Sequence, residues 1–213
     1  VRVAIRFYDY APAPSPRRAR MVLAEKGIEH ENVQIDLMRS EQLSDEFRRI
    51  NPNCTVPSIA LEDGTCLFDN LGIAIWAEAF QPDPPLMGES PAEKGLIGSW
   101  MTRLDHQGGM AFMEAYRNSH RKMADRAIPG PRNYAQIPAL AERGFARLAD
   151  FLEELNNHLS DNEYIATGKF TCADIWAFSV VSVTPWIKAA PDERHPHVLR
   201  WRDQINQRPS AKL

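Results

Sequence analysis

Two short polar motifs stand where the sequence predicts that helices begin. Ser15 precedes Pro16 and the run RRARMVLAEKG, and Asp69 with Asn70 follows the strand-like TCLF and precedes LGIAIWAE. Ser, Asp and Asn are preferred N-cap residues, and proline is favoured at the first helical position. The plain interpretation of both motifs is therefore helix capping, with Ser15 as N-cap and Pro16 as the first helical residue.

Both motifs also have a chemical interpretation. The amides exposed at a helix N-terminus bind carboxylates, Asn70 adds a side-chain donor, and Asp69 can pair with an ammonium group. An α-amino acid carries both charges on one carbon, so this motif suits the amino-acid end of a small peptide. At Ser15, a hydroxyl and the positive end of the helix dipole would both stabilise a thiolate.

Magnitudes decide whether the helix dipole alone could ionise a thiol. A free thiol has a pKa of about 8.5, and lowering it by roughly two units requires about 2.7 kcal/mol. A helix terminus supplies about 0.3–1 kcal/mol, rising to about 2 when partly buried. A hydrogen bond to a charged group adds about 1.5–3 kcal/mol. A thiolate bound at this helix start would therefore need a hydrogen-bond donor such as Ser15 near its sulfur atom.

A third motif lies between these two, in the stretch NPNCTVPSIAL. Pro57 cannot donate a hydrogen bond to a sheet, so it belongs at the start or edge of a strand. If the Val56–Pro57 bond is cis, the backbone N–H and C=O of Val56 turn outward and can pair with an extended peptide. The sequence alone leaves the isomer open.

The first 80 residues alternate strand and helix signals in the order β-α-β-α-β-β-α, beginning with the strand VAIRFYD and a helix that ends at Gly27. A hairpin is predicted over residues 62–65, because Asp63-Gly64 readily takes the positive φ angles of such turns. Two βα units, a hairpin and a final helix predict an α/β domain of the thioredoxin type over residues 1–80.

The rest of the chain reads as helical. Residues 81–91 contain four prolines and predict a linker, and residues 92–213 predict an all-α domain. One helix face is lined by four leucines at four-three-four spacing, Leu148, Leu152, Leu155 and Leu159. Thr171 and Asp174 form a predicted capping box before an apolar run, and this is favoured over a catalytic role for Asp174.

Composition excludes several classes of partner. A net charge of −3 and a pI near 6.1 give no basic field for nucleic acid or an anionic membrane. The strand-like opening is not the long apolar run of a signal peptide or membrane span. Three cysteines, Cys54, Cys66 and Cys172, fit neither a disulfide framework nor a CxxC zinc motif. A reducing cytoplasm and no metal are therefore expected.

Four segments, in this order and spacing, resemble the cytosolic glutathione transferases, in particular bacterial theta- or nu-like members: SPRRARMVLAEKGIEHENVQIDL, NPNCTVPSIALEDGTCLFDNLGIAIWAE, YIATGKFTCADIW and HPHVLRWRDQINQRPSA. The resemblance covers nearly the whole chain. It implies a thioredoxin-like domain with a cis-proline, an all-helical domain and a cytoplasmic homodimer. It also implies conjugation of the glutathione thiolate to a hydrophobic electrophile, a detoxification reaction that needs no metal.

The resemblance also implies roles for individual residues. Val56 would pair through its backbone with the cysteinyl group of glutathione, beside the cis-proline, and Asp69 and Asn70 would hold the γ-glutamyl end. The whole glutathione site would comprise Cys54, Thr55, Val56, Pro57, Asp69 and Asn70. The electrophile would bind between the domains against apolar side chains including Trp100, Leu104, Met110, Met113 and Tyr116.

Three positions depart from the family pattern. Ala13 stands where many members have a catalytic Ser or Cys, so the catalytic role passes to Ser15, with Tyr8 or Tyr10 as alternatives. Asn70 replaces the usual serine but keeps a donor. Cys54 stands where Gly, His or Lys is usual.

Two other functions remain open. A glutathione-binding or protein-interaction module that has lost turnover would explain Ala13 and Asn70. A thiol-disulfide exchanger would need a reactive cysteine at the first helix, where there is none, and Cys54 is the only nearby thiol. Rates of thiol conjugation would separate the module from the transferase.

Overall fold

The computed structural model describes residues 5–213, which form two compact units. The first unit extends to Pro84 and also includes Pro129–Arg132. The second unit comprises Pro85–Ile128 and Asn133–Leu213. Val3 and Ala4, at the start of the predicted opening strand, lie outside the described residues.

A four-stranded mixed sheet forms the centre of the first unit. Its strands are β1 (Arg6–Asp9), β2 (Glu31–Gln34), β3 (Ser58–Ala60) and β4 (Cys66–Leu67). The spatial order is β2-β1-β3-β4, with β1 parallel to β2 and antiparallel to β3. Phe7 on β1 lies opposite Asn32 on β2 and Ile59 on β3. The first and second strands are parallel, as a βαβ connection requires.

Three helices complete this unit: α1 (Pro14–Glu25), α2 (Asp45–Ile50) and α3 (Asn70–Phe80). The buried face of α1 includes the predicted Ala19, Val22 and Leu23. Gly27 follows the helix with φ of +62°, a conformation that glycine adopts readily. The element order and the sheet confirm the predicted thioredoxin-like fold.

The predicted hairpin joins β3 to β4. Gly64 has φ of +87°, and its N–H donates to the Leu61 carbonyl at 3.1 Å. The Asp63 carboxylate accepts the Thr65 N–H at 2.8 Å. Asp63-Gly64 therefore forms the predicted turn, and Gly64 has the positive φ angle on which the prediction depended.

The start of α1 differs from its prediction. The N-cap is Ala13 and the first helical residue is Pro14, so Ser15 lies inside the first turn and does not cap the helix. Proline is tolerated throughout a first turn because its missing N–H would have no partner there. Pro14 and Pro16 are thus both acceptable, and the helix begins at the earlier one.

A buried lysine fastens the end of the first unit. The side chain of Lys26 is fully buried, and its Nζ lies 2.5 Å from a carboxylate oxygen of Glu78 on α3. The same ammonium donates to the carbonyls of Pro82, at 3.2 Å, and of Pro84. Three partners match the three N–H donors of lysine. Residues 82–84, predicted as linker, are therefore tied to α1 and α3.

The second unit is helical. Its helices are α4 (Pro91–Leu104), a π-helical turn (Asp105–Gly109), α5 (Met110–Ser119), α6 (Pro138–Asp161), α7 (Cys172–Val181) and α8 (Pro196–Asn206). Pro91, placed in the linker by the sequence, is the first residue of α4, and Ser90 and Glu93 form its capping box. Within residues 5–213, no helix combines the length and apolarity needed to cross a membrane.

Close backbone packing joins α5 to α6. The predicted leucine face of α6 is buried, and on the same helix Gly144 meets α5. A Cβ at Gly144 would lie 2.4 Å from the backbone nitrogen of Ala115. No side chain fits at that distance, so this glycine sets how closely the two helices approach.

Helix α7 is buried along its whole length and begins at the predicted capping box. The Asp174 carboxylate accepts hydrogen bonds from the backbone N–H and hydroxyl of Thr171, at 2.9 and 3.2 Å. It also accepts the Ile165 N–H and the Trp201 indole N–H, each at 3.0 Å. Burial raises the pKa of Asp174 to about 6, against the opposing effect of these donors. The structure thus gives Asp174 a capping role.

Candidate functional site

The start of α3 presents free backbone donors beside a carboxylate. Asp69 is the N-cap, and its Oδ1 accepts the Gly72 N–H at 2.7 Å. Its carbonyl accepts the Ile73 N–H at 3.1 Å. The N–H groups of Asn70 and Leu71 precede these and have no partner within the helix. An anion can therefore bind the amides while the exposed Asp69 carboxylate binds a cation.

Asn70 connects this helix start to that of α1. Its side-chain Nδ2 donates to the hydroxyl oxygen of Ser15 at 2.9 Å, although the two residues are 55 positions apart. The Oδ1 of Asn70 is buried and has no hydrogen-bond partner within the described part of the chain. The structure thus brings Ser15 together with the Asp69-Asn70 motif and leaves one amide oxygen there open to a donor.

The first turn of α1 offers few backbone donors. Pro14 and Pro16 have no N–H, and Ala13 makes no side-chain hydrogen bond to the helix. Of the first four helical positions, only Ser15 and Arg17 carry amide hydrogens. Burial, and next the charge of Arg20, lower the pKa of Arg17. An anion at this turn would relieve the repulsion between the two arginines.

A buried ion pair holds the loop between β1 and α1. Arg20 Nη1 contacts both carboxylate oxygens of Asp9, at 2.9 and 2.7 Å, and the two side chains are only 8% and 1% exposed. Arg20 Nη2 donates to the Ala11 carbonyl at 3.0 Å. One guanidinium therefore joins the end of β1, the loop and α1.

Residues of β2 complete this arrangement. Gln34 accepts the Ala11 N–H at 3.0 Å and donates to Asp9 at 3.1 Å. Asn32 donates to the same oxygen of Asp9 at 3.2 Å. Both backbone groups of Ala11 are thus held by side chains. We call this set, Asp9, Arg20, Asn32 and Gln34, the loop brace.

The loop before β3 is organised by Asn51, which is fully buried. Its Nδ2 donates to the Thr55 carbonyl at 2.8 Å and to the Ser58 hydroxyl at 3.0 Å. Its Oδ1 accepts the Asn53 N–H at 2.9 Å. A single amide side chain therefore fixes residues 53–58, the segment expected to receive a peptide.

The Val56–Pro57 bond is cis. The described residues form no hydrogen bond with the N–H or C=O of Val56, which lies just before β3. Buried backbone groups are rarely left without partners, so this position can accept an added strand. Cys54 is 2% exposed and its thiol donates to the Pro52 carbonyl at 3.6 Å. Its side chain therefore points inward.

The tyrosine alternatives to Ser15 differ in burial. Tyr8 is buried, and its ring packs edge-on against Phe47 at 5.8 Å between centroids, in a core that also contains Val56. Tyr10 is partly exposed beside that core. Tyr8 therefore serves packing.

The residues predicted to contact the electrophile fall into two groups in the second unit. Trp100 and Leu104 line a cavity of about 50 Å³ with α6 residues including Phe151 and His158. Met110, Met113 and Tyr116 are not part of that lining and lie on α5. The cavity is far below the roughly 300–1,000 Å³ of ordinary ligand pockets.

An aromatic cluster on α5 includes a residue that the sequence did not indicate. The rings of Phe112 and Tyr116 stack at 5.6 Å, and the Trp186 ring lies 5.9 Å from Tyr116 and 6.3 Å from Phe112. Trp186 is 47% exposed. It lies in the segment Thr184–Ile187, whose short length shows no periodicity from which this contact could be predicted.

The described part of the chain comprises residues 5–213. No group of three or more His, Cys, Asp or Glu side chains in this range is arranged to hold a metal ion.

Comparisons with known proteins agree with this architecture. The sequence model of the glutathione S-transferase N-terminal domain matches residues 13–79, and that of the C-terminal domain matches residues 108–209. Glutathione S-transferase 2 of Saccharomyces cerevisiae is 27% identical over 210 residues, covering 96% of this chain and 87% of the yeast protein.

Two further relatives extend the comparison. Glutathione S-transferase F10 of Arabidopsis thaliana is 29% identical over 210 residues, covering 95% of this chain and 93% of its own. A crystal structure of a glutathione S-transferase domain-containing protein from Marinobacter aquaeolei superposes with a TM-score of 0.88 at 29% identity, covering 96% of this chain and 98% of that one. The chain therefore belongs to the glutathione S-transferase family and is a transferase.

Proposed function

We propose that the protein binds glutathione in its first unit and transfers the glutathione thiolate to a hydrophobic electrophile. The observation that carries this proposal is the 2.9 Å hydrogen bond from Asn70 to Ser15. It joins the helix start suited to an amino-acid group with the helix start suited to a thiolate.

The cysteinyl part of glutathione would pair with Val56. The N–H and C=O of this residue have no partner within residues 5–213, and Asn51 holds the surrounding loop in place. An extended peptide would add two main-chain hydrogen bonds here, as a strand does at a sheet edge. The family's glutathione chemistry and this local geometry support the same position.

The γ-glutamyl end would bind at the start of α3. Its carboxylate would accept the N–H groups of Asn70 and Leu71. Its ammonium would pair with the carboxylate of Asp69, of which one oxygen already accepts the Gly72 N–H. The buried Oδ1 of Asn70 supplies a further acceptor, so both charges of the amino acid would be satisfied.

The thiolate would be stabilised by the Ser15 hydroxyl. Because Asn70 donates to the Ser15 oxygen, the hydroxyl hydrogen is directed elsewhere and can be donated to sulfur. The thiol proton passes to solvent, sulfur attacks the electrophilic carbon, and the leaving group departs with the bonding electron pair. Arg17 and the α1 dipole add positive potential.

The electrophile would contact the exposed side of α5. Met110 is about half exposed, and the rings of Tyr116, on the same helix, and Trp186 pack together at 5.9 Å between centroids. Methionine side chains adapt to ligands of varied shape. This group fits a small apolar substrate better than the cavity at Trp100 does, because that cavity is too small.

The test replaces Ser15 by Ala and measures the pKa of bound glutathione from thiolate absorbance, together with conjugation of chlorodinitrobenzene across pH. Loss of one hydrogen bond to the thiolate should raise the sulfur pKa by about one to two units. Turnover at pH 6.5 should fall about 10- to 100-fold and recover at alkaline pH. Ser99→Ala, an exposed serine on α4, is the matched control.

Other results would change the assignment. An unchanged sulfur pKa in Ser15→Ala would assign thiol activation to another donor, and Tyr10 is the next candidate. Saturable glutathione binding without acceleration of conjugation in the wild-type protein favours a binding module. Absence of binding at millimolar glutathione rejects the proposal as a whole.

We expect the protein to be a homodimer in a reducing cytoplasm, with the conjugation serving detoxification. Leu71 and Ile75, one helical turn apart on α3, are 47% and 55% exposed. Neighbouring apolar residues on an outer helix face commonly lie at an interface. Cys54, Cys66 and Cys172 form no disulfide with one another, which suits a reducing compartment. Analytical ultracentrifugation would give the mass of the assembly.

A further inference from the structure

Arg117 lies in the last turn of α5 and uses little of its capacity to donate hydrogen bonds. A guanidinium carries five N–H donors. Nη1 donates to the Arg126 carbonyl at 2.6 Å, whereas Nε is buried and has no hydrogen-bond partner within residues 5–213. No carboxylate in that range forms an ion pair with Arg117. The residue is partly exposed, so its guanidinium is anchored at one nitrogen and keeps other donors for a ligand.

The surroundings of Arg117 add positive charge rather than negative charge. Burial, and next the charge of Arg126, lower the pKa of Arg117. Residues 117–128 contain four Arg and Lys side chains and one acidic side chain, a net charge of +3, although the whole chain has a net charge of −3. The acidic residue of α5, Glu114, is already paired with two arginines of α6. A bound anion would therefore offset both the burial of this charge and the repulsion from Arg126.

This arginine lies at the end of the apolar surface proposed above for the electrophile. Met110, Met113 and Arg117 are spaced three and four residues apart, so they share one side of α5. Tyr116 raises the pKa of Arg117, against the larger effects of burial and Arg126, so its phenol lies near the guanidinium. The Tyr116 ring also packs with that of Trp186. An aromatic ligand on this surface would therefore have a cation beside its ring.

We propose that the electrophile is an aromatic compound bearing a carboxylate and that Arg117 binds this carboxylate, an inference that rests on the function proposed above. The ring would pack against Tyr116, and the carboxylate would accept guanidinium N–H groups that Arg126 does not use. Arginine suits this role because its planar donors match the two oxygens of a carboxylate. An apolar surface alone discriminates weakly among apolar compounds. Arg117 would thus determine which electrophiles the transferase prefers.

The experiment compares chlorodinitrobenzoate with its uncharged methyl ester as the electrophile. Each kcat/KM is divided by the rate constant of the uncatalysed reaction with glutathione, because the two substituents activate the ring differently. The wild-type protein should favour the acid over the ester by about 10-fold, the lower end for a hydrogen bond to a charged group. Arg117→Gln should lose this preference, mainly through a higher KM for the acid, and Arg117→Lys should retain part of it. The acid-to-ester ratio does not depend on how much of a variant is folded.

A matched control separates direct binding from the general positive charge of this segment. Arg121→Gln removes an exposed arginine just after α5 and should change the acid-to-ester ratio by less than about twofold, since solvent and salt screen exposed charges. An equal loss in Arg121→Gln and Arg117→Gln overturns the inference. So does a wild-type protein that conjugates the ester without preferring the acid, or a raised sulfur pKa of bound glutathione in Arg117→Gln. Conjugation of neither compound by the wild-type protein overturns the proposed function, and this inference with it.

Discussion

The starts of α1 and α3 lie side by side in the candidate site but are held by different means. Asp69 caps α3 with its own carboxylate, three residues from the amide it binds. Ala13 supplies no cap to α1, and the loop before it is held by Arg20 and Gln34, 9 and 23 positions from Ala11.

This difference separates two ways of positioning a binding group. A local cap stabilises one helix end and leaves the rest of the domain unaffected. The loop brace, which contains a buried ion pair and two amide side chains, couples the loop to β1, β2 and α1 at once. It leaves the first turn of α1 without a side-chain acceptor that would compete with a ligand. The thiolate proposed at α1 would therefore meet no capping carboxylate, whereas the carboxylate proposed at α3 would bind the Asn70 and Leu71 amides that the Asp69 cap leaves without a partner in the helix.

Removing the ion pair of the loop brace should have the largest effect on the free energy of unfolding. Arg20→Met leaves the Asp9 carboxylate buried without its counter-ion, so the free energy of unfolding should fall by about 3–5 kcal/mol. Urea denaturation followed by circular dichroism measures this change. The double variant Asp9→Leu with Arg20→Met should recover part of the loss, since no uncompensated charge remains. A loss under about 1 kcal/mol in the single variant would place the pair among weak surface contacts.

Removing the N-cap of α3 should lower the free energy of unfolding by a smaller amount. Asp69→Ala should lower the free energy of unfolding by about 1 kcal/mol, the usual value of an N-cap. Asp69→Ser keeps a cap and should preserve stability, whereas both variants should bind glutathione more weakly because the carboxylate for its ammonium is gone. Equal binding by Asp69→Ser and the wild-type protein would assign Asp69 to capping alone.

Adding a cap where none exists should have the smallest effect. Ala13 has φ of −83° and ψ of 140°, which suit an N-cap residue. Ala13→Ser should raise the free energy of unfolding by about 0.5–1 kcal/mol, measured by the same denaturation experiment. Ala13→Gly, which adds no acceptor side chain, is the control. A loss of stability in Ala13→Ser would mean that the brace holds the loop away from capping geometry.

Features specified by neighbouring residues were predictable. The capping box at Thr171 and Asp174, the Asp63-Gly64 turn and the leucine face of α6 each depend on residues within about one or two helical turns of one another. Asp69 belongs with them. The order of elements in the first unit follows from the same local signals, because few folds accommodate two βα units followed by a hairpin.

Features that depend on distant residues were not predictable. The sequence predicts Ser15 as the N-cap because its residue type and the following proline fit, but Pro14 fits the first helical position equally well and begins the helix. The brace pairs Arg20 with Asp9 on another element, and nothing in IPGPRN indicates that Pro129–Arg132 joins the first unit. The residues predicted to contact the electrophile likewise fall into two groups, because helical spacing does not show which neighbouring element each helix face contacts.

The two prolines in the first turn of α1 have a spectroscopic consequence. Because Pro14 and Pro16 carry no amide proton, a nitrogen-15 correlation spectrum contains one backbone signal between Ala13 and Arg17, that of Ser15. This resonance has no sequential amide neighbour on either side. In uniformly nitrogen-15-labelled protein, the Ser15 amide is therefore the one resonance that reports from this part of the helix, and its chemical shift would follow ligand arrival there.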